Sequence, residues 1–156
     1  MRLVDRKDRH YCRACDRVHF LDPKVACCAV VQGPEGILLI RRDIEPGRGL
    51  WSYPGGYMDR GETAPSAAAR EVFEETGLEV SCRRLLGVYS YPTSIVVVIV
   101  YEAEVLSGSA NPGPECSEAR WFLPGDIPWK ELAFPSVRQA LLDLGLGEGE
   151  ENRPGD

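Results

Sequence analysis

A chain of 156 residues with 44% hydrophobic and 27% charged residues has the make-up of one soluble globular domain, long enough to bury a core. Its net charge of −6 argues against a general nucleic-acid binder, which presents a basic surface. The longest purely apolar run, residues 95–101, is too short to cross a bilayer, and residues 1–10 carry no hydrophobic signal core. The expected location is the cytoplasm, with no membrane partner.

In chain order, residues 1–24 are polar with few apolar anchors and form an expected N-terminal segment, with Cys12 and Cys15 as a metal-type pair. Residues 25–31 and Gly36–Arg42 are β-rich runs separated by Gln32, Gly33, Pro34 and Glu35, which predicts a hairpin. Cys27 and Cys28 lie in the first run, face opposite sides and read as small buried hydrophobes. Residues 45–61 are so punctuated by Gly and Pro that no regular structure is expected, while Trp51, Tyr53 and Tyr57 make them too aromatic for a linker.

Thr63 offers an N-cap to a helix over Ala64–Thr76, with Pro65 in its first turn and Gly77 at its stop. Two β-rich segments follow at 83–91 and 95–106, the second a near-continuous Val and Ile run expected to be a central strand covered on both faces. A loop leads to a short strand at 119–123, and residues 136–144 predict a second helix with Val137, Leu141 and Leu144 along one side. The strands lie too close together for repeated βαβ crossovers, so the expected class is α/β, a mixed sheet in a three-layer α/β/α sandwich. The expected organisation is an N-terminal segment, a main domain over 25–144 and an acidic tail over 145–156 with Glu148, Glu150 and Glu151.

The helix carries the chemistry. Glu71, Glu74 and Glu75 are spaced i, i+3 and i+4, so their carboxylates project from one face and repel one another. A solvated acidic face would interleave lysines, and here only Arg70 stands nearby. Three convergent carboxylates suit a hard divalent cation that keeps waters for substrate phosphates. Upstream, Pro54, Gly55 and Gly56 form a turn whose missing side chains let backbone approach a metal or phosphate.

Together these residues form the pattern G-x5-E-x7-R-E-U-x-E-E-x-G-U from Gly56 to Leu78, with all nine specified positions met. The chain therefore resembles the Nudix hydrolases over roughly residues 11–144. The resemblance implies the Nudix fold and hydrolysis of a nucleoside diphosphate linked to a further group X, with Mg²⁺ or Mn²⁺ as cofactor. It implies that Glu71, Glu74 and Glu75 bind metal together with the Gly56 carbonyl, that Arg70 orients a glutamate of the cluster, and that Glu62 orders the loop. In that family the general base is a glutamate of the box or one from a later loop. This implies Glu74 or, of Glu115 and Glu118 in the later loop, preferably Glu115, as accessory ligand or base; an ordinary solvated loop acid is the equal alternative for Glu115. Arg41, Arg42 and Arg48 are candidates to clamp substrate phosphates, with Arg42 expected to face water. Tyr89, Tyr91 and Phe134 are candidates to stack a base, against the plainer role of filling the core.

Residues 11–24 resemble the second half of the zinc ribbon that precedes the box in NADH- and FAD-pyrophosphatase-like Nudix proteins, but the first CxxC is missing. Three readings stay open: reduced vestigial thiols, a Zn²⁺ site completed by His10 and His19, or a homodimer in which two chains pool two cysteines each. The SQPWPFPxS signature of NADH pyrophosphatases survives only as Tyr91, Pro92, Thr93 and Ser94. Pro92 lies fifteen residues past Gly77, close to the proline associated with ADP-ribose pyrophosphatases. The implied substrate is a small nucleotide diphosphate of the ADP-ribose, NADH or FAD class, with ADP-ribose ahead. A nucleoside-triphosphate sanitiser and a non-catalytic nucleotide sensor are the alternatives.

Overall fold

The computed structural model describes residues 1–147, so Glu148, Glu150 and Glu151 of the expected acidic tail lie outside the described residues. The N-terminal segment is more ordered than its composition suggests. It forms a three-stranded antiparallel sheet of β1 (Arg2–Val4), β2 (Lys7–Tyr11) and β3 (Val18–His19). Asp5 and Arg6, both at positive φ (51° and 63°), make the tight turn between the first two strands. Neither is a glycine, and so the turn carried no sequence signal.

The main sheet is mixed. It contains β4 (Lys24–Gly33), β5 (Gly36–Arg42), β6 (Trp51–Ser52), β7 (Gly55–Tyr57), β8 (Glu79–Ser90), β9 (Val96–Ser107) and β10 (Cys116–Phe122). The order is β10-β5-β4-β9-β8, with β6 on β5 and β7 on β4; β4 and β9 run parallel. Helix α1 (Ala64–Thr76) packs on one face and α2 (Pro135–Asp143) on the other, completing three layers.

Alternation along β4 builds both cores. Ala26, Cys28 and Val30 join Leu39, Val137 and Leu141 on the α2 side. Cys27, Ala29 and Val31 face α1, where they meet Ala67, Ala68 and Val72. A single strand thus feeds two layers, as the opposed Cys27 and Cys28 predict. Each buried Val or Leu contributes about 2 kcal/mol. The fully covered central strand is β4 rather than β9: along β9 only Val100 and Ala103 are buried, because its outer neighbour β8 is a sheet edge.

The predicted hairpin of β4 and β5 is present, but its strands pair only at Gln32–Ile37 and Gly33–Gly36. Beyond that they splay. Residues 51–57, expected to be irregular, fill the gap with two short strands: β7 takes the place beside Ala26, Cys27 and Cys28, and β6 pairs with Ile40 and Arg41. This insertion carries Gly55 and Gly56 to the face where α1 lies.

Helix α1 begins and ends as expected. The Thr63 hydroxyl accepts from the Ser66 amide at 3.4 Å, and Gly77, at φ 75°, donates its amide to the Phe73 carbonyl. Replacing Thr63 by alanine is expected to lower unfolding free energy by about 1 kcal/mol, read by urea denaturation. Among the described residues no helix is long and apolar enough to cross a membrane.

Candidate active site

The splayed hairpin and α1 bring glycine backbone against carboxylates. Glu75 is buried, and its Oε2 accepts the Gly55 amide at 2.7 Å. Glu71 lies one turn earlier against Gly56, where a Cβ would sit 2.5 Å from its Oε2. Only glycine leaves room for this approach. Burial pushes the Glu75 carboxyl up to about 8, against the opposing effect of the Gly55 amide, and the charge of Glu71 adds to the rise. Burial likewise raises Glu71, partly offset by Arg70.

Arg70 ties the loop to the helix. Its Nε and Nη2 reach the two oxygens of Glu62 at 2.6 and 3.0 Å, and Nη2 also donates to the Tyr57 carbonyl at 3.1 Å. Nη1 donates to Glu71 at 2.8 Å and to Glu74 at 3.3 Å. The bond to Arg70, with the Asp59 amide at 2.9 Å, holds the Glu62 carboxyl down at about 2.

The three helix carboxylates do not converge as they stand. Glu71 and Glu75, four residues apart, turn inward together, whereas Glu74 is exposed and rests on Arg70. Among the described residues no three His, Cys, Asp or Glu side chains are gathered closely enough to hold an ion. The donor chemistry nonetheless fits a hard divalent cation. Two inward carboxylates lie beside an open glycine backbone, and among the described residues no lysine or arginine forms an ion pair with Glu75.

The later loop joins this face. Glu115 is exposed, its carbonyl accepts the Asp43 amide at 2.9 Å, and its charge acts on Glu71 and Glu75. Glu118 points elsewhere, into ion pairs with Arg41 and Arg120. Arg41 is thereby occupied: its Nε also donates to the Gly49 carbonyl at 2.9 Å, and its guanidinium lies 5.9 Å from the Trp51 ring. The neighbouring Arg42, expected to face water, is the strand arginine whose charge lowers Glu75 and Cys116. Its Nε is anchored on the Pro46 carbonyl at 2.7 Å, and it lies 5.2 Å over the Phe134 ring. Strand alternation predicts that one of the two arginines faces the carboxylates, but which one depends on pairing to β10 and β6. Arg48 is engaged with Asp43.

Tyr91 and Phe134 pack partly buried against the α2-side core, and Tyr89 donates its hydroxyl to Asp143 at 2.8 Å. Cys12 and Cys15 lie in the turn between β2 and β3 of the N-terminal sheet. Bonds from Cys15 and the Ala14 backbone hold the Cys12 thiol below its ordinary range. His10 and His19 are direct partners across these strands.

Comparison with known proteins bears on the fold and the family. The model of the NUDIX domain matches residues 22–144. An ADP-ribose pyrophosphatase of Methanocaldococcus jannaschii is 38% identical over 119 residues, 74% of this chain and 69% of that protein. A putative 8-oxo-dGTP diphosphatase of Bacillus subtilis is 35% identical, covering 79% and 80%. An NAD-capped RNA hydrolase of Vibrio parahaemolyticus is 29% identical over 85% of this chain, which spans 53% of that protein. The crystal structure of a NUDIX hydrolase from Nitrosomonas europaea superposes with a TM-score of 0.82 at 36% identity, covering 85% of this chain and 76% of that one. A complete box, the three-layer fold that presents it and the matched domain model lead to one conclusion: the chain belongs to the Nudix family of hydrolases.

Proposed function

We propose that the chain is a divalent-metal-dependent pyrophosphohydrolase that cuts the diphosphate of a nucleoside diphosphate derivative, with ADP-ribose first among ADP-ribose, NADH and FAD. The observation that carries this reading is the pair Glu71 and Glu75, turned inward against Gly55 and Gly56. Nothing in the packing of α1 calls for two repelling carboxylates there. Glu71, Glu74, Glu75 and the Gly56 carbonyl would hold Mg²⁺ or Mn²⁺, which supplies charge neutralisation of the diphosphate and acidification of an attacking water.

The remaining roles fall to the chain's own side chains. Arg70 fixes Glu71 and the loop, so the carboxylates keep their places while substrate enters. Arg42, anchored at Nε on the Pro46 carbonyl and acting on Glu75, would offer its Nη groups to phosphate oxygens. Glu115 or Glu74 would take the proton of the attacking water, both being exposed carboxylates at the edge of the site. ADP-ribose is favoured by the similarity to the archaeal pyrophosphatase. The Bacillus relative supports a second reading, action on an oxidised nucleoside triphosphate.

The test is phosphate release from a panel of ADP-ribose, NADH, FAD, dinucleoside polyphosphates and nucleoside triphosphates, with Mg²⁺ or Mn²⁺ and phosphatase added to expose terminal phosphates. Metal-dependent release is expected from the ADP-ribose class. Release from the triphosphates alone would favour the second reading, and silence across a panel that still binds would leave a nucleotide sensor.

A further inference from the structure

An open surface cavity of about 470 Å³ lies where the chain enters β4, on the loop that follows Gly56. One wall is Pro23, Lys24 and Val25, and the other is the loop that leaves Gly56 with Tyr57 and returns through Arg60 to Glu62. Two bonds fasten this loop: the Tyr57 carbonyl accepts from Arg70 at 3.1 Å, and the Asp59 amide donates to Glu62 at 2.9 Å. The wall is therefore continuous with the residues that hold the box together.

The charges on these walls are uncompensated. Lys24 and Arg60 are exposed, and neither enters an ion pair among the described residues. Elsewhere in this acidic chain Arg41, Arg70, Arg84 and Arg120 each hold a carboxylate. The acid on the walls is Asp59, so two cations stand against one anion. The Lys24 ammonium lies 4.7 Å over the half-exposed Tyr57 ring, which holds it at the cavity in place of a carboxylate.

Resting on the hydrolase reading, we infer that this cavity takes a further phosphate of the substrate, outside the scissile diphosphate, between Lys24 and Arg60. A neutral sugar would gain little from two exposed cations, whereas a phosphate offers each of them charge-assisted bonds. Such a phosphate is found on a small dinucleotide phosphorylated at a ribose, and on the nucleotide that follows the cap of a capped RNA.

The test compares kcat/KM for 2′-phospho-ADP-ribose with that for ADP-ribose, for NADPH with that for NADH, and for an NAD-capped dinucleotide with that for NAD⁺, in the wild type and in the double variant K24Q/R60Q. The wild type is expected to favour at least one phosphate-bearing member roughly tenfold, equivalent to about 1.4 kcal/mol. Whichever member is favoured tells the small dinucleotide from the RNA. In the double variant that ratio falls towards one. A wild-type ratio near one for every pair that is hydrolysed, or a preference that survives the double substitution, overturns the inference. Calorimetric titration with the same pairs reads the preference without turnover. A protein that hydrolyses nothing overturns the hydrolase reading, and the cavity is then judged on binding by the same two criteria.

Discussion

Replacing Glu75 by glutamine is expected to cut metal-dependent turnover by about a thousandfold, the ~4 kcal/mol of a lost metal-assisted transition-state interaction, without weakening the metal-free fold. The two effects separate because of where Glu75 sits. It is 8% exposed, and its main bond is the 2.7 Å acceptance of the Gly55 amide. Glutamine keeps a carbonyl oxygen for that bond and nearly the same volume. What it removes is a carboxyl that burial and the charge of Glu71 push up to about 8, so that ionising it costs stability unless a cation answers the charge. In chelator, thermal unfolding of the variant is expected at or above the wild-type midpoint. Added Mg²⁺ or Mn²⁺ should raise the wild-type midpoint and leave that of the variant where it was. Wild-type turnover in the variant would remove Glu75 from the site, and a collapse of the metal-free fold would make it a structural residue.

Much of this arrangement was legible in the residues, for reasons that differ by element. Helix α1 is written locally: Thr63 caps it, Gly77 stops it, and the positions of Ala68 and Val72 match a buried stripe at helical spacing. The hairpin of β4 and β5 was likewise set by turn chemistry between two apolar runs. Strands β6 and β7 were not visible, because two or three residues flanked by Pro and Gly carry no period. They exist only because β4 and β5 splay and leave backbone to be paired. The same long-range dependence explains β9, whose apolar run reads as a covered strand although its neighbour β8 is a sheet edge.

At the site, spacing placed Glu71 and Glu75 on one face but could not show that Glu74 turns to solvent. Nor could it show that Arg42, rather than Arg41, acts on Glu75. That outcome rests on Glu118 of β10, which lies across from Arg41 and occupies it. The order of residues 1–24 was hidden for a different reason. Their sheet closes through Asp5 and Arg6, without the glycine that usually marks a two-residue hairpin turn at positive φ.

Replacing Arg70 by alanine is expected to lower the melting midpoint by several degrees and turnover by about a hundredfold, the usual scale for losing a residue that orients metal ligands. One guanidinium satisfies Glu62, Glu71, Glu74 and the Tyr57 carbonyl together, so its removal frees the loop and leaves three carboxylates facing one another. Lysine should restore little, because a single ammonium cannot span both Glu62 oxygens and still reach Glu71. The pH dependence of stability separates this account from simple loss of packing. Glu62 is held below its unfolded value, so the stability it contributes is present above the ordinary carboxylate range and fades as pH falls towards about 2. The gap in stability between wild type and the Arg70→Ala protein should therefore be full at neutral pH and close on acidification. A gap that stayed constant down to pH ~2 would mean that Arg70 acts through its alkyl stem, and the loop would then need another anchor.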